Sequence, residues 1–464
     1  MTMKILNDVQ SKLNETSVLD IVYPKRPSEI SEVVQKSLRS GFKVCPAGTL
    51  HSMGGQQFAS GGISISSSAL SNIGPLNTDS KTVTVQSGAK WPQLVKWLKD
   101  QQVAYSKKLT IIQKQTGADE LSLGGALSSN IHGRVLGRKP IIDDIEGFYI
   151  TTPDGSRLFC NRKENTEIFS LAIGGYGLYG FVDSINLRLT DRYKVKRIVS
   201  ENHIDDAIGV LEEHHSSGAT FGDFQYLTDE KSRDYLYKGI SSVYFPVSDD
   251  IPIPEDQIGL SIDEWKILYL LAHLDKTKAY LDYKTHYLQT NGQIYWSDLH
   301  QFSPYIPDAG DMINEKMGWD PYASLVLTEL YIPRNKFSDF MRKARSNLIK
   351  TNGNVVYGTV RLIEKENESF LRWAKSDFAC VIFNLLVEHS PSGIEIGQKQ
   401  FQILIDCALE EGGSFYLTYH RWARKDQIES AYPEFSDFIQ KKNQLDPMNI
   451  FSSEWYQYYL RMFT

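Results

Sequence analysis

The sequence predicts an α+β protein with more than one domain. Its 464 residues exceed the usual size of one domain, which is roughly 150 residues. Up to about residue 190, short apolar or β-branched runs alternate with helical segments and glycine-rich turns, which is typical of mixed sheets. From there to about residue 413, amphipathic helices separate strand-like runs, which indicates an antiparallel sheet covered by helices. We therefore expect domains at residues 1–192 and 193–415, and a C-terminal segment at 416–464.

The elements of the first domain follow from local signals. Ile30, Val34 and Leu38 repeat at helical spacing, and Gly41 ends that helix. Pro92 opens a second helix in its first turn. The domain's other β-branched or apolar runs, bounded by turn residues, predict strands. Together these signals predict strands at residues 21–24, 42–45, 63–65 and 82–85, and a second helix at residues 91–99.

The second domain has longer elements. Periodic apolar residues predict its helices, and runs rich in β-branched and aromatic residues predict its strands. The helices are expected at residues 204–214, 268–288, 335–348 and 398–410, and the strands at 221–227, 325–332, 355–362 and 379–387.

Composition excludes several functional classes. A net charge of −6 argues against a protein that binds the phosphates of nucleic acids. No run approaches the roughly 20 apolar residues of a membrane span, and the N-terminus has no signal-peptide block. The cysteines are scattered without a CxxC pair, which predicts reduced thiols, a cytoplasmic location and no cysteine-based zinc site. No histidines stand at ligand spacing, so no metal site is expected.

Three glycine-rich segments carry the first chemical signal. They lie at residues 48–55, 122–133 and 174–180. Glycines let backbone N–H groups approach a pyrophosphate closely, and successive N–H groups can hold an anion. One such loop is weak evidence, but three in one domain favour a nucleotide cofactor.

The run at residues 175–180 also matches the GxGxxG pattern of Rossmann folds. That pattern requires a helix after the glycines. Here Ile185, Leu187 and Leu189 alternate with polar residues, which predicts a strand instead. The Rossmann interpretation is therefore rejected.

In these segments the chain resembles the FAD-binding domain of the vanillyl-alcohol-oxidase or p-cresol-methylhydroxylase (PCMH) type. The resemblance rests on the Gly-x-x-His-Ser loop, the Ser-x-Gly-Gly-Ala loop that ends in His-Gly, and the third glycine run followed by a strand. The most similar branch contains alditol oxidases, aldonolactone oxidases and decaprenylphosphoryl-ribose oxidase. The match covers residues 18–192, resumes at 416–419 and 441–451, and is coarse between them except at 360–387.

The resemblance implies FAD as the cofactor, with His51 as the site of covalent attachment to the flavin. Leu50 departs from the pattern, since Gly or Arg commonly precedes the histidine, so an unlinked histidine is the alternative. For His132, the alternative to a flavin contact is a packed loop histidine. The cofactor residues implied are Gly48, Thr49, Leu50, His51, Ser52, Gly54, Gly55, Ser122, Gly124, Gly125, Ser128, Ser129, His132, Gly133, Gly177, Gly180 and Val182.

The resemblance also implies a catalytic set. Arg361 keeps the arginine of the family's Glu-x-Arg pattern, whereas Thr359 replaces the glutamate. Arg361 would bind a substrate oxygen or the reduced flavin, or else be a solvated strand residue. Cys380 would face the active site, or else be a core cysteine. His420 is the candidate base and Tyr419 a hydrogen-bond donor beside it, although a one-residue shift in strand register exchanges them.

The expected function is FAD-dependent oxidation of a CH–OH group of a sugar, polyol, lactone or related hydroxylated metabolite. Hydride would pass to flavin N5, and oxygen or another acceptor would reoxidise the flavin. One alternative is a dehydrogenase or epimerase component that reacts poorly with oxygen. The other is a catalytically silent flavoprotein.

Overall fold

The computed structural model describes residues 3–117, 119–303, 306 and 308–464. Its strands are β1 (Lys4–Leu6), β2 (Thr16–Val18), β3 (Asp20–Val22), β4 (Val44–Ala47), β5 (Ile63–Ser66), β6 (Ile73–Asn77), β7 (Thr82–Gln86), β8 (Leu109–Ile111), β9 (Ile145–Thr151), β10 (Arg157–Asn161), β11 (Phe181–Asp191), β12 (Lys194–His203), β13 (Phe221–Tyr226), β14 (Lys238–Val247), β15 (Ile294–Trp296), β16 (Ala323–Pro333), β17 (Val355–Ile363), β18 (Phe378–Glu388) and β19 (Ser414–Phe415).

Its α-helices are α1 (Pro27–Ser40), α2 (Trp91–Gln101), α3 (Leu123–Ser129), α4 (Thr166–Ala172), α5 (Ile204–Ser216), α6 (Ile262–Leu274), α7 (Lys276–Gln289), α8 (Ala309–Met317), α9 (Phe337–Lys350), α10 (Pro391–Glu410), α11 (Lys425–Ala431), α12 (Phe435–Leu445) and α13 (Glu454–Phe463). None of these helices is both long and apolar enough to cross a membrane.

The N-terminal part contains the short antiparallel pair of β1 and β2 and two larger sheets. Strands β3, β5 and β4 pair in parallel, and α1 packs Ile30 and Val34 against their apolar side chains. A second, antiparallel sheet has the order β10-β9-β11-β7-β6, with β8 also paired to β11. Because β11 follows the third glycine run directly, the rejection of a Rossmann fold is confirmed.

The following part is built on one antiparallel sheet with the order β15-β12-β14-β13-β17-β18-β16-β19. The buried faces of α5, α9 and α10 pack in the same apolar core as β16 and β18. The α+β class and the antiparallel sheet predicted from sequence are confirmed. The boundaries proposed after residues 192 and 415 stay predictions.

The structure differs from the sequence-based elements in two places. The single helix expected at residues 268–288 is two helices, because Asp275 leaves helical geometry and its side chain accepts a hydrogen bond from the backbone N–H of Lys278. In the second place, the strand register assumed for Tyr419 and His420 does not apply, because pairing with β16 ends at Phe415 and the chain then turns.

Candidate functional site

The three glycine-rich segments meet around a narrow cavity of about 80 Å³. Its walls are made of glycines, small side chains and backbone. A Cβ added to Gly48 would lie 2.5 Å from Ser122 Oγ, and Gly177 has φ 75°, a conformation that favours glycine. The walls therefore suit a narrow, chain-like group such as the diphosphate-linked part of FAD.

Nine residues implied by the family resemblance line this cavity, and eight others do so without having been predicted. The predicted residues are Gly48, Ser52, Gly124, Gly125, Ser128, Ser129, Gly177, Gly180 and Val182, and the others are Pro46, Ala47, Gln56, Gln57, Ser67, Ser87, Tyr176 and Phe181. Tyr176 lies within the third glycine-rich segment, whereas the other seven lie outside all three segments, so no glycine motif marked them.

A larger cavity of about 420 Å³ shares Gly48, Ser52, Gln57, Gly125 and Ser129 with the narrow one. It is wide enough for a ring system and a small molecule together. From the predicted cofactor set it is also lined by Thr49, Leu50, His51, Ser122 and His132. The shared wall makes the two cavities parts of one cleft.

His51 is positioned by the loop between β4 and β5. Its Nδ1 lies 3.1 Å from Thr49 Oγ1, whereas its buried Nε2 has no hydrogen-bond partner among the described residues. Burial lowers the pKa of His51, which favours the neutral ring. The preceding Leu50 has φ 61°, and its carbonyl accepts a hydrogen bond from Val9 at 3.0 Å. The loop thus presents an unpartnered imidazole nitrogen beside the cavity.

Alternate residues of three neighbouring strands form the opposite wall. Side chains directly across an antiparallel pair share one face of the sheet. The pairs Glu329–Ile382 and Ile382–Thr359 form one such row, and Leu327–Asn384–Tyr357 forms the next. The residues that line the cavity from this face are Leu325, Leu327 and Glu329 of β16, Tyr357, Thr359 and Arg361 of β17, and Ile382, Asn384 and Leu386 of β18.

Glu329 is the centre of a buried hydrogen-bond network at this wall. Its Oε2 accepts a hydrogen bond from the Tyr419 hydroxyl at 2.9 Å. Its Oε1 accepts from the Tyr331 hydroxyl at 2.9 Å and the Cys380 thiol at 3.1 Å, and contacts His132 Nε2. Both carboxylate oxygens are therefore fixed in place.

The network also determines charge. Burial on its own would raise the pKa of Glu329, but the charge and hydrogen bond of His132, followed by the Cys380 hydrogen bond and the Arg361 charge, hold that pKa below its usual value. Burial, together with the charge of Glu329, raises the pKa of Tyr419 well above its usual value. The site therefore holds a carboxylate beside a neutral phenol that donates to it.

Arg361 is buried, with 6% of its surface exposed, so it is not a solvated strand residue. Its guanidinium makes no hydrogen bond or ion pair within the described part of the chain, and its Nε is buried without a partner. A buried, unpartnered cation is costly, and here it lines a cavity that can hold a ligand. It is therefore suited to bind a substrate oxygen or to stabilise negative charge.

Of the other proposed catalytic residues, only Tyr419 lines the cavity. His420 lies outside the lining, where its ring stacks on Trp422 and burial lowers its pKa to about 4. Cys380 lies behind Glu329. The turn after β19 thus brings Tyr419, and not His420, to the cavity.

Three predicted cofactor glycines also lie outside both linings. A Cβ on Gly54 would meet the Tyr419 carbonyl at 2.5 Å, and one on Gly133 would meet the Lys114 carbonyl at 2.6 Å. Gly55 lies against Arg421 and Glu454. These glycines allow close backbone packing around the cleft.

Glu329 was missed by the sequence analysis. The family pattern placed a glutamate at Thr359, and the structure has the carboxylate in the same row but two strands away, at about 10 Å. A signal was present, because Glu329 is the only charged residue between positions 325 and 332 of a predicted buried strand. Such an isolated acid is either paired or functional.

Comparison with known proteins agrees with the glycine-loop interpretation. Residues 19–161 match the FAD binding domain family. The chain is 20% identical over 456 residues to cytokinin dehydrogenase 2 of Arabidopsis thaliana, covering 93% of this chain and 87% of that protein. It is 22% identical over 227 residues to the mitochondrial L-galactono-1,4-lactone dehydrogenase of the same plant, and that match covers 49% of this chain and 34% of that protein. It is 25% identical over 114 residues to D-arabinono-1,4-lactone oxidase of Debaryomyces hansenii, and that match covers 25% of this chain and 19% of that protein.

Proposed function

We propose that this chain, which belongs to the PCMH-type FAD-dependent oxidoreductases, oxidises a CH–OH group of a sugar, polyol, lactone or related hydroxylated metabolite. The observation that carries the proposal is the position of the Tyr419 phenol, which lines the cavity and donates a hydrogen bond to the buried Glu329. This arrangement can receive the proton that an alcohol loses during oxidation.

The cleft supplies two regions for the cofactor. Residues of the narrow cavity, with Gly48, Gly125 and Gly177 among them, would hold the diphosphate part of FAD through backbone contacts. His51, Ser129 and His132 would border the ring system in the larger cavity. When bound, FAD supplies an acceptor for the hydride removed from the substrate carbon. Attachment through His51 Nε2 is part of the proposal, because that nitrogen is unpartnered.

Tyr419 would transfer the proton. Its hydroxyl donates to Glu329, so its lone pairs remain available to accept the hydrogen of a substrate hydroxyl. As the substrate proton moves to Tyr419, the phenolic proton moves to Glu329 Oε2. Loss of hydride from the substrate carbon makes the hydroxyl proton strongly acidic, so a carboxylate of lowered pKa can still accept it. Tyr331 and Cys380 hold the other carboxylate oxygen. We assign this role to Tyr419 instead of His420, which lies outside the lining.

Arg361 would stabilise the charge that develops. The Glu329 carboxylate faces His132 and Arg361, and Arg361 has no direct ion-pair partner among the described residues. Negative charge that enters the cavity therefore meets an existing cation, which requires no reorganisation. The guanidinium can also donate forked hydrogen bonds to a substrate oxygen.

A second candidate reaction is oxidation of a CH–NH group. Over 93% of its length this chain is similar to a dehydrogenase named for cytokinin and not for a sugar or lactone, which favours a second substrate class. The Tyr419–Glu329 pair could accept an amine proton as well as a hydroxyl proton. The two candidates therefore share a site and differ in the substrate.

The deciding experiment is to mix the purified protein anaerobically with matched pairs of alcohols and amines. Flavin reduction is measured as the loss of absorbance in the visible flavin bands. We expect bleaching by at least one CH–OH compound and slower or no bleaching by its amine partner. Bleaching by amines alone would replace the first proposal with the second. Bleaching by dithionite alone would support a catalytically silent flavoprotein. Peroxide release on admission of air would distinguish an oxidase from a dehydrogenase.

A further inference from the structure

Three side chains that commonly bind metals converge at the wall of the larger cavity. His132 Nε2, Glu329 Oε1 and Cys380 Sγ lie within 4.8 Å of one another, and all three residues are buried. The sulfur is 3.1 Å from the carboxylate oxygen and 3.6 Å from the imidazole nitrogen. We refer to His132, Glu329 and Cys380 as the His–Glu–Cys cluster. Sequence spacing could not reveal it, because its members are 197 and 51 residues apart.

We propose that the His–Glu–Cys cluster binds one Zn²⁺ ion, or a similar borderline-soft divalent cation, and that this ion inhibits the enzyme. One imidazole, one thiolate and one carboxylate form a typical zinc ligand set, whereas Mg²⁺ and Ca²⁺ require mostly oxygen ligands. The cluster supplies only one residue with oxygen ligands, so it discriminates against these hard ions.

The spacing fits a tetrahedral ion. Zinc–ligand bonds of about 2.0–2.3 Å place neighbouring ligand atoms about 3.3–3.7 Å apart. The Sγ–Nε2 separation of 3.6 Å lies in that range, whereas the Sγ–Oε1 separation of 3.1 Å is shorter. The carboxylate oxygen must therefore move away from both Sγ and Nε2 to admit the ion.

The surrounding hydrogen bonds orient the ligands. His132 Nδ1 lies 3.1 Å from the Gly133 carbonyl, which can only accept, so the Nε2 of a neutral ring has its lone pair directed at the cluster. Donors on Tyr331 and Tyr419 hold the carboxylate. A carbonyl behind a ligating histidine and donors behind a ligating carboxylate are the usual support of a metal site.

The fourth coordination position would face the substrate. His132 and Glu329 line the larger cavity, so a fourth ligand would come from it. An ion there would also bind the Glu329 carboxylate, which must accept the proton that Tyr419 passes on. Zinc should therefore compete with substrate, a consequence that rests on the proposed function, whereas binding itself does not.

The test is calorimetric titration of the FAD-containing protein with Zn²⁺ under anaerobic conditions. We expect one ion per chain, no comparable binding of Mg²⁺, and at least tenfold weaker zinc binding in Cys380→Ser and in His132→Gln. Cys160→Ser, which alters a buried cysteine of the FAD-binding domain, should bind zinc like the wild type. Co²⁺ should give a thiolate-to-metal absorption band that Cys380→Ser abolishes.

Unaltered zinc affinity in folded Cys380→Ser, or no saturable binding by the wild type, would overturn the proposal. Folding of each variant is checked by its flavin spectrum and melting temperature. Because binding is measured without turnover, a protein that oxidises no alcohol can still bind zinc, and the two proposals fail separately.

Discussion

At the scale of single residues, Arg361 is the buried cation that the cavity leaves without a protein partner among the described residues. A positive charge in a low-dielectric site stabilises negative charge that arrives on a ligand. Arg361→Gln should therefore lower the reduction potential of the bound flavin by about 30 mV or more, which is about 1.4 kcal/mol for two electrons. Potentiometric titration against reference dyes measures this, with the exposed Arg342→Gln as control.

If Arg361→Gln and Arg342→Gln had the same potential as the wild type, Arg361 would have no electrostatic role at the cofactor. A lowered potential in both would indicate a general effect of surface charge instead.

Asp144 offers a second residue-scale prediction. Its Oδ2 accepts a hydrogen bond from Gln113 at 2.9 Å, its Oδ1 has no partner among the described residues, and burial raises its pKa to about 7. Because the folded-state pKa lies above the unfolded value of 3.8, folding takes up a proton, and this residue's contribution to stability falls between about pH 4 and pH 7. Asp144→Asn removes that dependence.

Between pH 5 and pH 7, the free energy of unfolding of the wild type should decrease relative to Asp144→Asn by about 2 kcal/mol. Urea unfolding of both proteins at the two pH values measures the change. If the free energies of unfolding of the wild type and of Asp144→Asn changed equally with pH, Asp144 would titrate alike in the folded and unfolded chains.

The family resemblance identified Arg361 and Tyr419 as candidates, and the structure places both at the cavity. It did not identify Glu329, because the family pattern directed attention to Thr359. It also favoured His420 over Tyr419 as the base, because the family brings a basic side chain to this position. Which neighbour points inward depends on backbone geometry after β19, which no residue type specifies.

At the scale of elements, the loop between β4 and β5 determines how the flavin is held. It presents the unpartnered Nε2 of His51 beside the cavity. Wild-type protein precipitated with acid should therefore keep its yellow colour in the pellet, and His51→Ala should release the flavin to the supernatant. His273→Ala, which alters another histidine of the cavity wall, should retain it.

A colourless wild-type pellet would reject the covalent link while leaving FAD binding intact. Equal retention by His51→Ala would place the link at another residue.

The sequence predicted elements well where a local signal was strong and poorly where tertiary contacts decide. Gly41 ends α1 in a left-handed conformation with φ 75°, as the helix-stop signal indicated. By contrast, the break between α6 and α7 occurs within a continuous helical pattern, where the side-chain cap of Asp275 favours a new helix start. The row of residues on β16, β17 and β18 depends on strand pairing, which one sequence does not reveal.

At the scale of the whole molecule, the segment after α3 links the FAD-binding part to the large antiparallel sheet. Trp373 Nε1 donates to the Asn130 carbonyl at 3.0 Å, and Arg134 lies 3.4 Å from Asp223. His132 adds its contact with Glu329. These buried contacts couple the two parts, so we expect one cooperative unfolding transition.

Flavin fluorescence and far-ultraviolet circular dichroism should then give the same thermal midpoint. Trp373→Phe should lower both midpoints together, since it removes one buried hydrogen bond worth about 1 kcal/mol. Separate midpoints in the wild type would show that the two parts unfold independently.

The central claim is that Tyr419 and Glu329 accept the substrate proton as the C–H bond is broken. The most direct measurement is the anaerobic rate of flavin bleaching by an active alcohol and by its form deuterated at the carbinol carbon. We expect slower bleaching with deuterium and a further loss of about 10²-fold in Tyr419→Phe. Tyr179→Phe, which loses a buried hydrogen bond outside the cavity, should match the wild type. A wild-type rate in Tyr419→Phe would contradict the claim.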